Sequence, residues 1–101
     1  MNTLQLILSA HKIVDEMIAF QEKIPANESL ITVGLANEYF QLKRKAQTLE
    51  AKMMSAGEDR KLFPAHARLR QTLNKFQRFN HVMCLVVEMS LNGVTQNCER
   101  R

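Results

Sequence analysis

His81 and Cys84 stand three residues apart, a spacing that lets two side chains on one helix share a metal ion. Zinc needs three or four ligands, and the remaining donors are His11, His66 and Cys98, none of them in a CxxC or HxxxH pairing. The ligand count argues against a metal centre, and no cofactor is expected. Cys84 fits better as a small apolar residue at the edge of a core. By helical angle His11 falls near Ile7 and Ile18, which predicts a partly buried ring with a hydrogen-bonded nitrogen. His66 is expected to be exposed. Carboxylates adjoin at Asp15-Glu16 and at Glu58-Asp59. Adjacent residues on a helix do not face each other, and the second pair suits a first turn, where acidic groups favour the helix dipole. Ser9, Ser29, Ser55 and Ser90 have no base at a recognisable spacing, and no glycine-rich loop is present to cradle phosphate. The residues predict no enzyme.

The basic residues are the strongest polar signal. Lys61, Arg68 and Lys75 recur every seven residues, with Arg78 on the same flank, and no acidic residue lies between Arg60 and His81. On a helix they form one stripe, which continues into Val82, Val86 and Met89. The segment from Val82 to Leu91, with Leu85 inside it, is apolar on nearly every side. Surface helices do not normally show this. Two expectations stay open here. Either this end is a thicker core that also takes in Val33, Ala36 and Phe40, or Arg68, Lys75, Arg78, Val82, Leu85, Val86 and Met89 meet a partner. A charged stripe of this kind is expected to contribute little to folding.

Two breaks in the chain delimit the helices that carry these residues. At Ile24-Pro25-Ala26-Asn27-Glu28-Ser29, proline disfavours helix at Ile24, and Asn27 or Ser29 can cap the next helix. At Ser55-Ala56-Gly57-Glu58-Asp59, Gly57 suits the position just past a helix end. Phe63-Pro64 reads as a helix start with proline near its first position, and Gly93 as a stop. The punctuation predicts helices at about 3–24, 29–56 and 63–92, with a short C-terminal tail, 93–101.

Apolar spacing supports each helix. Leu6, Ala10, Ile13, Met17, Phe20 and Ile24 alternate steps of four and three, as do Leu35, Tyr39, Leu42, Ala46, Leu49 and Met53. The third set is Leu62, Leu69, Leu73, Phe76, Met83 and Val87, with polar Asn80 in the remaining step. Such repeats predict an all-α fold of three long antiparallel helices, an up-down-up bundle built as a helical hairpin plus an N-terminal helix. A helix of 28 residues is about 42 Å long, whereas a compact 100-residue globule has a radius of gyration of about 13 Å. The bundle is therefore expected to be elongated, with a partner chain able to complete it.

Length and charge bound the function. The 101 residues suit a single helical domain, with 46% hydrophobic and 24% charged residues, so an ordinary folded core is expected. The net charge of +4 is uneven, since residues 1–50 sum to −1 and residues 51–101 to +5. This asymmetry predicts an acidic partner for the second half. No basic flank precedes the first apolar run, and no window of about 18 apolar residues exists, so neither a signal peptide nor a membrane span is expected. Two cysteines make no disulfide scaffold, and a cytoplasmic setting is the expectation.

The function expected from these features is non-catalytic: binding another protein with an acidic and apolar surface, as an adaptor, chaperone, inhibitor or regulatory subunit, with a homo-oligomer compatible. The alternative is a basic nucleic-acid-binding protein that touches phosphates through Arg60, Lys61, Arg68, Lys75 and Arg78. Phe76 falls on the core seam and Phe79 near its edge, so stacking aromatics beside the stripe are not expected, which makes nucleic acid the weaker expectation.

Overall fold

The computed structural model describes residues 2–56 and 60–92. Gly57, Glu58, Asp59, Gly93 and Cys98, which enter the sequence expectations, lie outside the described residues. Four α-helices are joined by short 3₁₀ turns: α1 Thr3–Lys23, α2 Val33–Ser55, α3 Phe63–Phe76 and α4 Asn80–Asn92. Among the described residues there is no strand.

α1 opens with a capping box. The Asn2 side chain accepts from the Gln5 amide at 2.8 Å, and the Gln5 side chain accepts from the Asn2 amide at 3.1 Å. It ends at Lys23, because Ile24, ahead of Pro25, turns to extended backbone. Asn27 caps only a single 3₁₀ turn, Glu28–Leu30, so the expected helix start at residue 29 is corrected to Val33. Ile31 stays extended and drops its side chain into the core, and Thr32 then caps α2 by accepting from the Leu35 amide at 3.1 Å.

The expected single helix over 63–92 is also corrected. Gln77–Phe79 tighten into a 3₁₀ turn that separates α3 from α4. The cause is a cross-helix hydrogen bond. In an unbroken α-helix the Phe76 carbonyl would accept from the Asn80 amide. Here it accepts from the buried Tyr39 hydroxyl at 2.8 Å, and the Asn80 amide donates to Gln77 instead. The polar Asn80 side chain in the apolar seam accepts from Lys43 Nζ at 2.7 Å and approaches Cys84 Sγ at 3.8 Å.

Polar contacts between helices fix the directions. Lys23 meets Glu38 and Glu16 meets Lys45, so α1 and α2 run antiparallel. His66 meets Glu50 while Lys43 meets Asn80, so α3 and α4 run back along α2. The architecture is the expected up-down-up helical bundle. Its extents of 48 × 27 × 18 Å and radius of gyration of 16.0 Å show it to be elongated, against about 13 Å for a compact chain of this length.

The core follows most of the predicted seam with a shift: Val14 and Ala36, which the spacing left off it, are fully buried, whereas Ile13, Ile24, Leu35, Leu42 and Val87 are only half-buried at its edge. Leu6, Ala10, Val14, Met17 and Phe20 face Ala36, Tyr39, Ala46, Leu49 and Met53, with Leu69, Leu73, Phe76 and Met83 closing the third side. At its centre Tyr39 stacks on Phe76 with ring centroids 4.5 Å apart, and Phe20 sits 5.8 Å from Phe76. One aromatic ring from each of α1, α2 and α3 thus joins the bundle just before the α3–α4 break.

Candidate partner-docking surface

The helix lengths do not match. α1 ends at Lys23, and beyond that point α4 packs on α2 with only the 25–31 connection beside it. Pro25, Ile31, Phe79 and Val82 line a depression of about 220 Å³ at this junction. α4 therefore carries apolar side chains along a flank that no third helix covers.

The structure divides the expected apolar patch. Val82 and Val86 are half-buried and pack against the core, together with Val87 and Phe40. Leu85 is 41% exposed and Met89 72% exposed. Residues i and i+4 share a helix face, so Leu85 and Met89 form one apolar ledge over the Val82 and Val86 floor. The thicker-core expectation holds for Val82, Val86 and Phe40, while Leu85 and Met89 on the outer side are exposed.

The basic stripe divides as well. Lys75 and Arg78 are exposed, and among the described residues neither has an acidic partner. The Arg78 guanidinium lies over the Phe79 ring, 4.9 Å from its centroid. Arg68 is different. Its guanidinium donates to His11 Nδ1 at 2.8 Å and to Asp15 at 3.1 Å, clamping α3 to α1. Arg68 thus has partners across the helix interface that spacing along its own helix does not reveal, in a pair that is itself largely exposed. His11 is half-buried with a bonded nitrogen, as its sequence position implied.

Asp15 and Glu16 face opposite neighbours, Arg68 on α3 and Lys45 on α2, and make no acid–base pair. His66 is corrected from exposed to half-buried. The start of α3 lies against the end of α2, so Nε2 comes within 3.3 Å of Glu50, which Arg70 also approaches at 3.8 Å. His81 is exposed and Cys84 half-buried, with Asn80 at the sulfur. Among the described residues no three His, Cys, Asp or Glu side chains are grouped to hold a metal.

Among the described residues, the Tyr39 hydroxyl is the group whose titration the fold clearly changes. Burial, and next the neighbouring Cys84 thiol in its charged form, push it from 10.0 to about 12. It works as a neutral hydrogen-bond donor inside the core, remote from solvent.

No helix among the described residues is long and apolar enough to cross a membrane. Compared with known proteins, the chain matches no family model, no curated protein and no solved structure.

Proposed function

We propose that this is a non-catalytic helical protein that binds another protein through the outer flank of α4. The observation that carries this reading is the exposure of Leu85 and Met89 on the stretch of α4 that outruns α1. Two large apolar side chains on one helix face, above a floor of Val82 and Val86, fit a helix or apolar segment laid across them. Lys75 and Arg78 lie about two to three turns before Leu85 on the same flank, so the partner carries acidic groups opposite them. Those charges speed encounter and set orientation, while the apolar contact supplies most of the affinity. Adaptor, chaperone, inhibitor and regulatory subunit all share this mechanism, and the setting proposed is the cytoplasm.

The nucleic-acid reading loses ground, because Arg68 is committed to His11 and Asp15. A photo-crosslinking residue placed at Met89 in the native host, with mass spectrometry of the products, names the partner. The purified pair is then titrated against salt. A protein partner held at the ledge shows a shallow salt dependence, whereas binding through phosphates falls steeply and log-linearly. Crosslinks to nucleic acid with a steep slope, or none that differ from those of a buried-position control at Met83, would overturn the reading.

A further inference from the structure

We infer that the trough between α1 and α2, on a different part of the bundle from α4, is a seat for a fourth helix, amphipathic and acidic on one flank, supplied by another protein. The trough consists of two adjoining depressions that share Lys45, of about 360 and 400 Å³. Phe20 and Leu42 line the first, and Ile13 and Leu49 line the second. On each helix the two floor residues are seven apart, and the antiparallel register set by Lys23–Glu38 and Glu16–Lys45 places Phe20 by Leu42 and Ile13 by Leu49.

Two cross-helix apolar pairs one heptad apart lie about 10.5 Å from each other along the axis. That is the separation of knobs i and i+7 on an added helix, and each depression takes one knob, as in a four-helix bundle. From Glu38 to Lys52 the trough runs for about 21 Å, the length of a helix of some four turns. A small ligand would need one depression; two at heptad spacing fit a helix.

Charge selects the helix. At the first depression the rim is neutralised, with Lys23 on Glu38 at 3.3 Å, and between the two depressions Lys45 meets Glu16 at 3.7 Å. The rim of the second depression carries Arg44 and Lys52, neither with an acidic partner among the described residues. An occupant with carboxylates at that end satisfies both cations. A second copy of this chain fits poorly: it carries +4, and none of its described helices exposes two large apolar side chains seven residues apart.

The probe is a synthetic 21-residue amphipathic helix with Leu at heptad positions and Glu on one flank. Its control has Lys in place of Glu. Nitrogen-15 NMR of the full chain tracks the amides of Ile13, Phe20, Leu42 and Leu49 during titration. The acidic peptide should shift these four before those of α4 and bind at least tenfold tighter than the basic one. The double variant Arg44→Glu/Lys52→Glu should keep the melting temperature, lose at least tenfold for the acidic peptide and gain for the basic one. Leu85→Asp should leave the titration unaltered, so failure here is separate from failure of the α4 reading. Equal binding of both peptides, shifts confined to other faces, no shift at millimolar peptide, or concentration-dependent self-association mapping to the trough would each overturn the inference.

Discussion

The Tyr39 hydroxyl donates a 2.8 Å hydrogen bond to the Phe76 carbonyl, and the helix that Phe76 closes tightens into a 3₁₀ turn immediately afterwards. A side chain of α2 thereby takes the acceptor that the α-helical ladder of the third arm would use, and α4 departs from that point. Tyr39→Phe keeps the stacked ring and removes the donor. With a buried carbonyl left short of a partner, a loss of about 1–3 kcal/mol is expected in urea denaturation.

The same hydroxyl predicts alkaline behaviour. Its pKa is raised from 10.0 to about 12, so between those values the folded state holds a proton that the unfolded state has released. More protons bound in the folded state means that stability falls as pH rises. The contribution is complete below pH 10 and is lost progressively towards about 12. Stability measured across this window should decline more steeply in the parent than in Tyr39→Phe. Equal slopes would mean that the hydroxyl titrates normally.

The three basic residues of the third arm should separate on reversal. Arg68→Glu would place a carboxylate against Asp15 and remove the donor to His11, with an expected cost of about 1 kcal/mol. Lys75→Glu and Arg78→Glu should stay within about 0.5 kcal/mol, as exposed positions do. A double-mutant cycle with Asp15→Ala tests the clamp, because coupling should appear for Arg68 and vanish for Lys75.

The sequence was legible where neighbours along one helix carry the information. The four-three steps fixed which faces meet, and Leu6, Met17, Tyr39, Leu49 and Phe76 are all in the core. Pro25 marked the first break, yet the true start of α2 depended on Ile31 being drawn into the core, which Asn27 and Ser29 could not announce. The break at Gln77–Phe79 contains neither glycine nor proline, and Asn80 in an apolar seam was its sole hint. Arg68 was read with the rest of its stripe because its partners come from α1, a neighbour that helical spacing along α3 does not reveal. The α1–α2 trough is built from seam residues, and only the placement of α3 shows which side of that seam stays open.

Core and docking surface on α4 should part at adjacent residues. Val86 is half-buried and packed against the core, so Val86→Asp buries an unpaired carboxylate and should cost about 3 kcal/mol or force local unfolding of α4. Leu85 and Met89 are exposed, so Leu85→Asp/Met89→Asp should leave helix content by circular dichroism unchanged and shift stability by no more than about 1 kcal/mol for the two changes together. Against the partner crosslinked at Met89, the double variant should lose affinity by at least tenfold, and mainly through a faster off-rate, because apolar anchors govern residence more than encounter. Lys75→Glu/Arg78→Glu should instead slow association and flatten its salt dependence. If the Leu85 and Met89 double variant binds as the parent does, α4 carries its apolar flank for the core alone, and the ledge has no part in recognition.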